Sequence, residues 1–173
     1  MNVRTFYHTI YDIIGDLTPL TKDCGQLCGS ACCAESDVGE GMYLFPREEK
    51  LFFPLLREKT FKIYKTDWQR SDGKCIYLYA CNGTCHREAR PLGCRIFPLV
   101  PFKLPGGALQ VILDPRGAHG LCPLAAGSLS ALDPAFVSAV TTAFAYAVKN
   151  KEVCAFIEEQ TIEILLPLLK GSL

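Results

Sequence analysis

Cys24, Cys28, Cys32 and the adjacent Cys33 sit within the stretch "CGQLCGSACC", residues 24–33, and nothing else in the chain restricts its folding as much. Thiols at this density staple loops as disulfides, hold a metal, or do redox chemistry, and the surrounding sequence must choose. The start, "MNVRTFYHTIYDIIGDL", has no basic leader, no unbroken apolar run and no small-residue cleavage site, so it does not read as a signal peptide. No stretch reaches the roughly 20 apolar residues that a membrane span requires. A cytoplasmic home is the expectation, and there thiols stay reduced. The disulfide reading recedes. Lys+Arg and Asp+Glu both number 18, so the chain lacks the positive surplus that non-specific nucleic-acid binding needs.

The fold expected is α+β, a helix-rich single domain over 1–173 with short β-hairpins and an irregular, cysteine-rich, metal-binding middle. Hydrophobic residues at 49% and charged residues at 21% suit one globular core in a chain of this length. Val3, Phe6, Tyr7, Ile10, Ile13, Ile14 and Leu17 recur at helical spacing, with Asn2 as N-cap and Pro19 beyond the end. "MYLFPREEKLFFPLLREK" predicts a short strand running into a helix, with Pro46 in the first turn and Pro54 kinking or splitting it. "FKIYKTDW" and "KCIYLYAC" alternate about "RSDG" as a hairpin does. "PLVPFKLPGGALQVILD" predicts a second hairpin turning at "PGG". Asp133 followed by Pro134 opens a helix to about Lys149, and a last helix spans roughly Lys151 to Leu166, before Pro167. The cysteine-cluster portion covers about 24–125 and the C-terminal helical portion about 130–170.

Geometry sorts the thiols. On a helix, the spacing of four in Cys24, Cys28 and Cys32 turns the side chain only about 40° per step, which gathers them on one face. A glycine-loosened turn around an ion fits as well, because Gly25 and Gly29 each cost a helix about 1 kcal/mol. Cys75 and Cys81 are about 20 Å apart if the residues between them are extended, so they cannot share an ion. Cys81 and Cys85, in "CNGTC", can, and Cys94 and Cys122 complete the set. Cys75, on a strand, and Cys154, on an apolar helix face, read as small buried hydrophobes. The candidate ligands are therefore Cys24, Cys28, Cys32, Cys33, Cys81, Cys85, Cys94 and Cys122. Such soft donors select zinc or an iron–sulfur cluster over magnesium or calcium. His86 and His119 are alternative ligands, whereas His8 belongs to the first helix.

"CGQLCGSACC", "YLFPREE" and "CNGTCHREARPLGCRIFP", in that order, resemble the YkgJ-type cysteine-cluster proteins, described as zinc- or iron-chelating domains. The resemblance runs over roughly residues 24–125. It implies a tight cysteine group (Cys24, Cys28, Cys32, Cys33), an acidic residue at a strand–helix junction (Glu48 or Glu49), then Cys85, and finally Arg90, Pro91, Cys94, Arg95 and Pro98. The three-and-three spacing of the first group departs from the family's three-and-two or two-and-two. The division of thiols between centres stays open.

Arg90 and Arg95 flank Cys94, where they offset thiolate charge and donate to sulfur, or instead pair with Glu48 or Glu49. No phosphate-binding glycine loop, HExxH or GxSxG occurs, and no Cys-x-x-Cys supports thioredoxin-like exchange. The expectation is a cytoplasmic metal-binding protein serving an unidentified protein or small-molecule partner, with no nucleic acid and no membrane. An iron–sulfur or metal-dependent enzyme of redox or group-transfer type, such as one linked to methylation, is the first alternative. A thiol redox sensor is the second.

Overall fold

The structure, a computed structural model, describes residues 2–22, 24–34, 40–58, 61–83, 89–118 and 120–171. Helix accounts for 47% and strand for 18%, so the chain is a mixed helix-and-sheet protein with short antiparallel sheets, as the sequence predicts. It divides into two compact units, Met1–Thr9 with Cys33–Arg95, and Ile10–Cys32 with Ile96–Leu173. No described helix is long and apolar enough to cross a membrane.

Helix α1, Val3–Ile14, begins where the Arg4 N–H donates to the Asn2 side chain, the predicted N-cap. Phe6, Tyr7, Ile10 and Ile14 are buried along one stripe, as their spacing requires. The first unit then carries β1, Met42–Tyr43, and a short α2, Glu49–Phe52, that passes at Phe53 into a 3-10 turn reaching Glu58. Pro54 lies at that change, since its missing N–H ends the α-type ladder. The predicted hairpin is β2, Phe61–Gln69, with β3, Cys75–Cys81. They pair antiparallel from Phe61–Cys81 through Lys65–Tyr77, shift register, and close at Gln69–Cys75. β1 adds to the other side of β3, giving the order β1-β3-β2.

Leu44, Phe52, Phe61 and Tyr79 form the first unit's buried cluster. Phe61 stacks on Tyr79 at 4.6 Å between ring centroids, and Phe52 meets both rings edge-on. Such pairs add about 0.5–1.5 kcal/mol each beyond the area they bury. Gly41 has φ +142°, and a Cβ there would collide with the Tyr79 carbonyl, so only glycine lets the chain enter β1 so close to β3. This unit ends in α3, Leu92–Ile96, whose last residue belongs to the second.

In the second unit, β4, Leu99–Phe102, pairs antiparallel with β5, Gln110–Leu113, around the predicted glycine turn. A single turn, α4, Pro115–Ala118, follows. Helix α5, Pro134–Ala147, starts with the Asp133 carboxylate accepting from Ala135 N–H and Pro134 in the first turn. It buries Phe136, Val140, Ala143, Phe144 and Ala147. Helix α6, Lys151–Gln160, is capped by Asn150 and buries Val153, Phe156, Ile157 and Gln160. Both helices pack against the β4–β5 hairpin. Each fully buried phenylalanine of this set contributes about 1.5–3 kcal/mol.

The end of the last helix departs from expectation. It runs past Pro167 through a π turn, Thr161–Leu165, into α7, Leu166–Leu169. Pro167 therefore falls in the first turn of a re-phased helix, where a missing N–H costs little.

Candidate metal centre

Residues 24–34 fold as two single 3-10 turns, Cys24–Leu27 and Ala31–Cys33, joined by a left-handed pair, Gly29 at φ +62° and Ser30 at φ +59°. The Gly25 carbonyl accepts from Cys28 N–H and Ser30 N–H, which closes the loop. A 3-10 turn advances about 120° per residue, and the left-handed pair redirects the chain. The cysteines therefore do not share a helix face; the glycine-loosened turn is the form adopted. Cys24, Cys28 and Cys33 are half-buried and Cys32 is exposed. No residue from 24 to 34 is buried, so no apolar core of its own holds this segment.

Cys94 is presented very differently. It lies half-buried on α3, a helix fixed from several sides within the first unit. The Leu92 N–H donates to Glu48 Oε1 at 2.6 Å, and the Phe45 N–H donates to Glu48 Oε2 at 2.9 Å. Glu48 is wholly buried, and its two oxygens join the β1–α2 connection to the first residue of the cysteine-bearing helix. A Cβ on Gly93 would come within 2.5 Å of the Met42 side chain, so α3 lies close against β1. Arg95 Nε donates to the Arg90 carbonyl at 2.8 Å, and the Tyr79 hydroxyl donates to the Ala89 carbonyl at 3.1 Å. Arg95 and Arg90 thus meet around Cys94 through a side-chain-to-backbone bond.

The same junction holds a strained residue. Arg47 has φ +69°, a left-handed conformation that costs a side-chain-bearing residue about 1–2 kcal/mol. Bonds on both sides hold it there. The buried Tyr7 hydroxyl donates to the Pro46 carbonyl at 2.7 Å, and Glu48 N–H donates to the Phe45 carbonyl. Tyr7→Phe removes one of them and leaves a buried carbonyl without its donor. We expect a loss of about 1–2 kcal/mol in urea unfolding with an unchanged m-value; an unaltered midpoint would show that Arg47 is held by other means.

Of the remaining candidates, Cys81 ends β3, half-buried and paired with Phe61. Cys75 opens the same extended strand, so the two stand at its opposite ends as the distance argument requires. Cys122 is buried, its N–H bonded to the Gly117 carbonyl. Gly117 is itself closely packed, since a Cβ there would reach 2.7 Å from Phe97 Cζ and 3.0 Å from Ala125 Cβ. Cys85, His86 and His119 lie outside the described residues. By unit, Cys24, Cys28, Cys32 and Cys122 fall in one and Cys33, Cys81 and Cys94 in the other. Among the described residues no disulfide joins any cysteines, and no three His, Cys, Asp or Glu side chains converge in a geometry able to hold a metal ion.

Cys75 and Cys154 both differ from their reading as small buried hydrophobes, since each is half-buried, and Cys154 Sγ donates to Glu158 Oε1 at 3.8 Å. The buried stripe of α6 is formed by Val153, Phe156, Ile157 and Gln160, and Cys154 lies beside that stripe, not on it. The sequence reads Glu48 or Glu49 as the acid of a strand–helix junction or as an ion-pair partner of Arg90 or Arg95; the role of Glu48 as acceptor for the Phe45 and Leu92 N–H groups is one that sequence reasoning misses, since Leu92 is distant in the chain.

Comparison with family models, curated proteins and solved structures found no match to this chain.

Proposed function

We infer that this chain is a cytoplasmic metal-binding protein whose clustered thiolates hold zinc or an iron–sulfur cluster. The observation that carries the reading is the segment 24–34. It carries Cys24, Cys28, Cys32 and Cys33 close together in sequence on short turns, leaves every side chain at least partly exposed, and forms no disulfide among the described residues. A loop with no fully buried side chain has little apolar burial to offset about 1–2 kcal/mol of backbone entropy per ordered residue. A bound ion supplies that free energy directly, about 10–16 kcal/mol for a structural zinc site. Thiolates are the donors that zinc and iron favour. The resemblance to the cysteine-cluster proteins points the same way. Cys81, Cys85, Cys94 and Cys122 complete the proposed donor set, and the metal's role is to fix loops that present a surface to a protein or small-molecule partner.

Elemental analysis of full-length protein purified without oxygen or chelator tests this. Stoichiometric zinc in colourless protein is the expected result. Brown protein that bleaches with dithionite assigns an iron–sulfur cluster and brings redox or group-transfer catalysis forward. A preparation with no metal, in which every thiol titrates at once, would overturn the reading.

A further inference from the structure

The turn leading into α2 and the hairpin beside it place three cations around aromatic rings at the surface. Arg47 and Lys50 are both exposed, and Lys50 N–H donates to the Arg47 carbonyl at 3.2 Å. The two acids between them turn inward, Glu48 wholly buried and Glu49 only 9% exposed. Phe53, one turn after Lys50, is 43% exposed, and Pro54 behind it is exposed as well. The Phe53 ring meets Tyr77 of β3 edge to face, with 5.8 Å between centroids. Tyr77 lies directly opposite Lys65 in the β2–β3 ladder, and directly opposed residues project from the same face of a sheet. Lys65 is exposed too. Arg47, Lys50, Phe53, Tyr77 and Lys65 therefore form one line of neighbours within the first unit. Among the described residues no ion pair engages any of the three cations. Asp67, exposed two residues past Lys65, bounds the patch at that end.

We propose that this surface docks an acidic segment of a partner protein that carries one apolar side chain among its carboxylates. Charge complementarity selects the occupant. Three cations whose intervening acids are buried attract carboxylates and fix the register in which they dock. The aromatic centre supplies the anchor, because an apolar contact at the middle of an interface excludes water from the charged groups around it. Arg47 comes to the partner on a backbone already fixed. Its left-handed residue is tied through Pro46 to the buried Tyr7 hydroxyl, and its neighbour Glu48 holds two backbone N–H groups. Binding therefore does not have to order that turn. A single-stranded nucleic acid fits this surface less well. Its bases stack on successive open ring faces, whereas Phe53 and Tyr77 stand at 84° to each other. The chain also has no net positive charge to draw a polyanion. None of the proposed metal donors belongs to the patch, so the proposal is independent of the metal reading.

The test is fluorescence anisotropy of short labelled peptides added to the full-length protein, purified without chelator. A central phenylalanine is flanked by glutamates in one peptide and by glutamines in another, and labelled oligothymidylate is the third probe. The glutamate peptide is expected to bind at least about tenfold tighter than the glutamine peptide, and to weaken as salt is added. Lys50→Glu, Lys65→Glu and Phe53→Ala are each expected to weaken it about fivefold or more. Lys62 is the control, exposed on the opposite face of β2, and Lys62→Glu is expected to bind as the parent does. Arg47→Asn separates binding from folding. Asparagine tolerates the left-handed backbone, so the melting temperature stays at or above the parent's while affinity falls. Equal affinity for the glutamate and glutamine peptides overturns the proposal, and so does parental affinity in Arg47→Asn. An equal loss in Lys62→Glu overturns it by reducing the effect to overall charge. Tighter binding of oligothymidylate than of the glutamate peptide overturns it in favour of a nucleic acid.

Discussion

Glu48→Ala lowers the stability of the protein by about 3–5 kcal/mol, because it strands two buried backbone donors at once. Phe45 N–H and Leu92 N–H, 47 residues apart in the chain by their numbering, both end on this one carboxylate. Alanine offers neither an acceptor, and since Glu48 is fully buried, bulk water does not reach the two N–H groups. Against a typical total of about 5–15 kcal/mol this is a large fraction, and it corresponds to a fall in melting temperature of about 10 °C. Glu48→Gln separates the two bonds. Its single amide oxygen satisfies one N–H while its NH2 faces the other, so its cost lies between those of the parent and the alanine variant. Thermal and urea unfolding of the three proteins, with the m-value checked for constancy, measures this order. An alanine variant melting within about 1 °C of the parent would mean that Leu92 and Phe45 find other acceptors. The effect does not stop at stability, because the helix that loses its anchor is the one carrying Cys94.

The parts of this fold that were legible in the sequence are those set by short-range chemistry. Alternation of apolar and polar residues, with a glycine-bearing turn between, is sufficient for both hairpins, and Asp133 with Pro134 is sufficient to start α5. The split of α2 into a 3-10 turn follows from Pro54 in the same local way. The misses are the places where distant residues decide. Pro167 reads as a helix stop, yet the π turn before it moves the helix by one residue, and no local pattern announces a π turn. Cys154 adjoins apolar residues in sequence, so it reads as core. Its half-buried place beside Glu158 depends on how α6 packs on β4, which no local pattern in the sequence announces. Residues 24–33 were ambiguous for a different reason. Spacing by four permits a helix face, while Gly29 and Ser30 permit a left-handed break, and the break prevails since an exposed glycine-rich segment gains little from helix formation.

On the metal-binding reading, Cys94→Ser and Cys154→Ser have opposite consequences although each removes one half-buried thiol. Serine at 94 replaces a soft anionic donor with a neutral hydroxyl, and a four-thiolate centre reduced to three loses most of its affinity for zinc or iron. Because metal binding and loop ordering are one equilibrium, the loss appears twice, as missing metal in elemental analysis and as lower soluble yield and melting temperature. The α3 anchors at Glu48 and Tyr79 do not involve the Cys94 sulfur, so a fall in metal content cannot be attributed to a lost hydrogen bond of that brace. Serine at 154 leaves the proposed donor set intact, and its metal content is expected to equal the parent's. The chelator response completes the comparison: the parent and Cys154→Ser lose melting temperature on prolonged chelation, while Cys94→Ser, already depleted, changes little. Equal metal content in all three proteins would remove Cys94 from the ligand set, and equal depletion in both variants would show that the thiols were wrongly sorted between ligands and bystanders.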